Sequence, residues 1–312
     1  MKAIVPALAL TLLSSCAPQR EAPLTLYDDF AHAQDVGVTT HGELVEGVLV
    51  HQGLQPSEIT RRQVTLVREE TLEHGLDAYI RERFLTPMRG TTRRLEHQAP
   101  GVVSQSQGAS DSRVVEALYG RKDWRARLER ELGVTGEREF LQALCDRVSH
   151  VRRTDPQIRQ ARHELLDAGH DAAEHGVARF LSAGNQGELS RTFARLGVTV
   201  DRDFYANYLA DPSATIVGAA DQGHAAGIAS PNAGAMLSAQ GVDVESQHDG
   251  QVTRETGSSY ATPQVARVAR EGYRHGIDAL GPRLVASAQP VPGAEAYLGA
   301  GTLSEEGFWL VR

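Results

Sequence analysis

Thr256-Gly257-Ser258-Ser259-Tyr260-Ala261-Thr262-Pro263 opens a segment that reads as one long helix from Ser259 to Arg274. Pro263 fits its first turn, where a missing N–H costs nothing. Gly257 permits a sharp turn before it. A serine at this point has its backbone N–H at the positive end of a helix, aimed where negative charge can develop. Taken alone, a serine in that position is most often an N-cap, so the segment acquires a chemical meaning only from what surrounds it.

Outward from this segment, short apolar strands alternate with amphipathic helices, the pattern of a mainly parallel sheet covered by helices on both faces. Leu24–Tyr27, Gln63–Val67, Gly101–Val103, Val177–Ser182 and Ala214–Ala219 read as strands. His41–Leu54 reads as a helix with Leu44, Val45, Val48 and Leu49 on one face, and a second helix lies near Leu72–Phe84. A helix-rich, arginine-rich stretch runs from Asp111 to His175. Within it, 122–160 reads as an inserted pair of helices with breaks at Gly133 and near Asp155-Pro156.

Four further segments carry residue types suited to chemistry. In Thr40-His41-Gly42-Glu43-Leu44-Val45-Glu46-Gly47-Val48, a histidine opens a helix, and the glycine after it lets other backbone come close. In Leu24-Thr25-Leu26-Tyr27-Asp28-Asp29-Phe30, an acid stands at the carboxyl end of the first strand, the edge where open α/β sheets hold their sites. Asp28 is the first residue past the apolar alternation and is preferred there; Asp29 remains the alternative. The strand Ala178–Ser182 runs into Ala183-Gly184-Asn185-Gln186-Gly187, which also fits a plain Asn-Xaa-Gly turn. Val103-Ser104-Gln105-Ser106-Gln107-Gly108 fits a strand end.

These segments together resemble those of the subtilases. Gly257-Ser258-Ser259-Tyr260-Ala261-Thr262-Pro263 is similar to the family's Gly-Thr-Ser-Met-Ala-Thr-Pro motif, with Ser258 at the threonine place and Tyr260 at the methionine place. The segment at His41 resembles His-Gly-Thr-His-Val-Ala-Gly, with Leu44 and Glu46 as departures. The first strand resembles the one that ends in Asp-Ser-Gly or Asp-Thr-Gly, and Ala178–Gly187 resembles the family's Ala-Ala-Gly-Asn-Xaa-Gly segment. The order Asp, His, Asn, Ser is the family's order. The resemblance implies a subtilisin-like three-layer α/β fold and hydrolysis of peptide bonds through an acyl-enzyme. It implies Ser259 as nucleophile, His41 as general base, Asp28 as the acid that orients it, and Asn185 as oxyanion donor. Extended polypeptide substrate would lie against Ser106, Gln107 and Gly108 on one side and Ser182, Ala183 and Gly184 on the other. No cofactor is implied. Subtilases often bind calcium, but no ligand set can be placed in this sequence. A degenerate subtilase that binds peptides without cutting them is the alternative. A serine esterase of another α/β fold lacks support, because no Gly-Xaa-Ser-Xaa-Gly surrounds Ser259.

The chain has 312 residues, of which 41% are hydrophobic and 23% charged, enough for one large domain with a sizeable core. A formal net charge of −8 argues against nucleic acid as a partner and against an electrostatic hold on an anionic membrane. Lys2 and the apolar run Ala3–Leu13 read as a signal segment too short to span a bilayer. Leu13-Ser14-Ser15-Cys16 resembles the bacterial lipobox. The expected organisation is a signal peptide over 1–15, a tether over 16–23 and a catalytic domain over 24–312, exported and held to the membrane by lipid on Cys16. An ordinary signal peptide with an incidental Cys16 is the competing reading. If Cys16 carries lipid, Cys145 has no partner, and its apolar helical setting makes it a buried small hydrophobe.

If Cys16 is acylated, the protein is expected to partition into detergent and to incorporate labelled fatty acid, and Cys16→Ser is expected to release it into the aqueous phase. Wild-type protein in the aqueous phase with another N-terminal residue would contradict this.

Overall fold

The computed structural model describes residues 22–30, 39–64 and 69–311. Cys16 and the rest of the signal and tether region up to residue 21 lie outside the described residues. In chain order the elements are β1 (Leu24–Asp28), α1 (His41–His51), β2 (Ile59–Gln63), α2 (Leu76–Leu95), β3 (Gly101–Gln105), α3 (Asp111–Gly120), α4 (Arg125–Leu132), α5 (Glu137–Thr154), α6 (Pro156–Glu174), β4 (Val177–Ser182), α7 (Gly187–Leu196), β5 (Thr215–Asp221), β6 (His224–Ala225), β7 (Leu237–Gln240), β8 (Val244–His248), β9 (Gln251–Glu255), α8 (Ser258–Arg274), α9 (Leu280–Ser287), α10 (Glu295–Leu298) and α11 (Glu305–Leu310).

Seven strands form one sheet in the order β2-β1-β3-β4-β5, with β7 and the short β6 both on β5. Every pairing is parallel except β5 with β6. The α/β architecture expected from the sequence is therefore the one adopted. A parallel sheet is buried on both faces, and the strands show it: all five residues of β1 and of β3 are buried. Successive side chains point to opposite faces, so Tyr27, Val103 and Leu181 join one hydrophobic cluster, while Leu26, Val102 and Phe180 join another. The first cluster lies under α2, α3, α5, α6 and α7. The second lies under α1, α8 and α9.

The chain leaves β1 toward β2 on one side and returns to β3 on the other. The ends of β1 and β3 thus flank a point where the strand order reverses, and crevices form at such points outside the carboxyl ends of the strands. Asp28 ends β1, and Ser106 follows β3 directly.

Three sequence expectations need correction. The second strand spans Ile59–Gln63, not Gln63–Val67. It is an edge strand whose Thr60, Arg61 and Arg62 are exposed, so it carries no apolar run to betray it. The helix expected at Leu72–Phe84 is α2, displaced to Leu76–Leu95, because Leu85, Met88 and Leu95 continue its buried face. Gly257, expected to permit a turn, has an extended φ of 163°. Its role is space, since a Cβ there would lie 3.1 Å from Asn185 Nδ2.

The hairpin β8–β9 was not foreseen, although His248-Asp249-Gly250-Gln251 carried the signal. Asp249 and Gly250 take φ of 48° and 76°, the left-handed pair that a tight hairpin turn requires. The hairpin packs on α1 at Gly47, where a Cβ would run into Ser246 Oγ and lie 2.8 Å from the Gln247 carbonyl. In the arginine-rich stretch, α4 ends on left-handed Gly133, and Asp155 caps α6 by accepting from the N–H groups of Gln157 and Ile158. Cys145 is buried in α5, and desolvation raises its thiol pKa far above the ordinary value.

Beneath the sheet, Arg179 of β4 pairs with Asp211, with side chains only 3% and 1% exposed. Removing one partner of such a pair strands a buried charge. Asp211→Ala is expected to lower unfolding free energy by about 3–5 kcal/mol in urea titrations. A change under about 1 kcal/mol would mean that water or another acceptor reaches Arg179.

Candidate active site

The start of α8 is fixed to the end of β4 by two hydrogen bonds. The Ser258 N–H donates to Asn185 Oδ1 at 2.8 Å, and Ser258 Oγ accepts from the Gly184 N–H at 3.1 Å. Because a backbone N–H can only donate, it assigns the Asn185 amide: Oδ1 is engaged, and Nδ2 is the end left to donate elsewhere. Ser259 follows in the first turn of α8, 7% exposed. Its Oγ donates to the Ser106 carbonyl at 3.2 Å.

His41 is the first residue of α1. A capping box formed by Thr40 and Glu43 closes that end, with the Thr40 N–H donating to Glu43 Oε2 at 2.8 Å. The helix comes so close to the end of β1 that the Gly42 N–H donates to the Asp29 carbonyl at 2.7 Å. A Cβ on residue 42 would lie 2.5 Å from that oxygen and 2.8 Å from the Phe30 ring. This approach brings His41 Nδ1 to 2.7 Å from Asp28 Oδ1. Asp28 is 1% exposed and also accepts from the Asp29 N–H. A carboxylate only accepts, so the imidazole proton sits on Nδ1 and Nε2 is left as a base.

Asp29 turns away from the imidazole, and its Oδ1 accepts from Gln63 Nε2 at 2.8 Å. Of the two adjacent acids, Asp28, the one preferred in the sequence, is the one in contact with the imidazole. The Tyr260 ring lies 5.6 Å from that of His41. Burial, and then the negative charge of Glu255, push the Tyr260 phenol far above its usual range, so it stays neutral.

One cleft of about 460 Å³ takes in Asp28, His41, Asn185 and Ser259. Ser106, Gln107 and Gly108 line it from the end of β3, and Ser182, Ala183 and Gly184 from the end of β4. Every site residue singled out in the sequence, apart from Cys16, meets there. One link is not made: among the described residues Ser259 has no hydrogen bond to His41.

No sequence pattern signals Asn207, which braces the cleft. Its Nδ2 donates to the Ser182 carbonyl at 2.9 Å, and its Oδ1 accepts from the N–H groups of Ala109 and Leu209. Gln186 was equally silent. Its Oε1 accepts from the Asn185 N–H, and its Nε2 donates to Glu116 at 3.0 Å. Among the described residues no group of three or more His, Cys, Asp or Glu side chains is arranged to hold a metal ion.

No protein-family model matches the sequence. No curated protein matches it either. Solved structures do. The chain is similar to a lanthipeptide protease at 15% identity with a TM-score of 0.52, covering 93% of this chain and 88% of that one. It is similar to the self-cleaved protease domain of PatA at 18% identity and TM-score 0.53, over 94% and 97%. It is also similar to MycP1 of Mycobacterium smegmatis at 14% and 0.54, over 95% and 81%. This likeness establishes the fold, which is that of subtilisin-like proteases.

Gly42→Ala is expected to prise α1 from the end of β1 and break the His41–Asp28 contact. The low-field Nδ1–H proton resonance that such a contact produces should vanish while the far-ultraviolet circular dichroism is kept. A retained resonance would show that α1 yields without moving the imidazole.

Proposed function

We propose that this chain is a serine endopeptidase that cleaves polypeptides through an acyl-enzyme. The observation that carries the reading is the 2.7 Å contact between His41 and buried Asp28, in one cleft with Ser259 and the free end of the Asn185 amide. The likeness to structures named as proteases supports it.

The Ser106 carbonyl accepts two hydroxyls at rest, Ser182 Oγ at 2.9 Å and Ser259 Oγ at 3.2 Å, which occupy both its lone pairs. An extended substrate that pairs its own N–H with this carbonyl, as an added strand does, displaces the Ser259 hydroxyl toward His41 Nε2. Ser259 Oγ then bonds to the scissile carbonyl carbon while His41 takes its proton. Asp28 holds the tautomer and stabilises the imidazolium. Asn185 Nδ2 and the Ser259 N–H receive the negative oxygen, where the helix N-terminus adds favourable potential. His41 returns the proton to the amine as the C–N bond breaks, and water repeats the sequence on the acyl-enzyme.

The exported, lipid-anchored form belongs to this proposal through Cys16. The resting position of Ser259 Oγ, on Ser106 and not on His41, favours a second reading: a peptide binder that does not cut. Cleavage-site profiling of a proteome with wild type and Ser259→Ala separates the two. New peptide ends present only with wild type support the peptidase; none with either supports the binder. For an active enzyme, Asn185→Ala is expected to lower kcat by about 10²–10³ with KM nearly unchanged, since its hydrogen bond strengthens only as charge develops. A raised KM at constant kcat would make Asn185 a ground-state contact only.

A further inference from the structure

Each acidic side chain of the cleft has a partner, although Asp28 Oδ2 is buried without one. Asp28 is held by His41, Asp29 Oδ1 accepts from Gln63, and Glu116 accepts from Gln186 Nε2 at 3.0 Å. A cation in the same cleft does not. Arg113 lines it from the first turn of α3; solvent reaches its side chain, yet desolvation of its charge lowers its pKa, and its guanidinium forms no ion pair or hydrogen bond among the described residues. Its backbone is nonetheless fixed, because the Arg113 N–H donates to the N-cap oxygen of Ser110 at 3.1 Å. Glu116 lies three residues on along the same helix, yet the two do not come within ion-pair distance.

A second cation stands behind the first. Arg83 of α2 is close enough for its charge to oppose that of Arg113. Arg83 lies over the Tyr79 ring, 4.8 Å from its centroid, and its Nε is buried with no hydrogen-bond partner. Glu116 and Asp28 are near enough to offset part of this positive charge, but neither pairs with Arg113, so its donors stay open to an anion entering the cleft. Arginine suits a carboxylate there, because its fork donates to both oxygens at once.

We propose that Arg113, supported by Arg83, selects an acidic side chain of the bound peptide near the scissile bond. This rests on the reading of the cleft as a peptide site. The walls that guide the peptide end at residues 106–108 and 182–184, beside Ser259, and Arg113 follows Gly108 by five residues in the sequence, at the start of the helix. The selected side chain therefore belongs to a residue that pairs with these walls.

The test uses peptides that differ only by Glu, Gln or Lys at each of four positions preceding the cleaved bond. Wild type is expected to cleave the Glu peptide about tenfold better than the Gln peptide at one of these positions, the worth of one charged hydrogen-bonded contact. Arg113→Glu is expected to abolish that preference and favour Lys at the same position, and Arg113→Lys to keep part of it. Binding of the same peptides to Ser259→Ala, measured by fluorescence anisotropy, is expected to show the same order. Equal treatment of Glu and Gln at all four positions overturns the proposal, as does a Glu preference that survives in Arg113→Glu. Glu-dependent binding without any cleavage by wild type would overturn the peptidase reading and uphold the role of Arg113.

Discussion

Ser258 is tied to the end of β4 through both its backbone N–H and its hydroxyl, at 2.8 Å and 3.1 Å. Much of the cleft follows from this pairing. It sets where α8 begins and hence where the Ser259 N–H points. It fixes the Asn185 amide so that its donor end is free. It holds the end of β4 against the start of the helix, and Asn207 then carries the constraint across to the loop after β3, donating to the Ser182 carbonyl and accepting from the Ala109 N–H. No element of this half depends on a long flexible side chain, so the donors are held in place by the fold itself, as the proposed stabilisation of a transient charge would require.

The other half is built by a steric allowance. His41 reaches Asp28 because residue 42 has no Cβ, and α1 can therefore lie against the backbone of Asp29. The same helix is pressed from its other side by β8 at Gly47. Two glycines five residues apart thus let α1 fit between the end of β1 and the hairpin, and the imidazole is carried on the helix so positioned. Ser259 belongs to α8 and His41 to α1, and both helices pack on the same face of the sheet. Their shared layer is what puts two residues over two hundred positions apart in the chain into one cleft.

Much of this was legible in the sequence because the relevant residues sit where local chemistry is constrained. Gly257, Ser259 and Pro263 mark a helix start, Asp28 ends an apolar alternation, and Asn185 follows a strand, so each stands at a strand end or helix start that the pattern of apolar residues reveals. The parallel sheet was legible for the same reason, since strands buried on both faces must be apolar. What stayed hidden depended on contacts distant in sequence. β2 is polar because it lies at an edge. Asn207 sits in an irregular segment and acts through backbone groups at 109, 182 and 209. The partnership of Gln186 with Glu116 joins a loop to a helix 70 residues away. The apolar alternation favoured Asp28 over Asp29, but the contact itself depends on where α1 comes to rest.

In the proposed mechanism Ser259 becomes a nucleophile through His41 and Asp28. Incubation with a fluorophosphonate and peptide mapping of the adduct by mass spectrometry tests it most directly. Stoichiometric phosphonylation at Ser259 alone is expected, slowed by orders of magnitude in both His41→Ala and Asp28→Asn. An unmodified Ser259, or labelling at the same rate without the histidine, would contradict it.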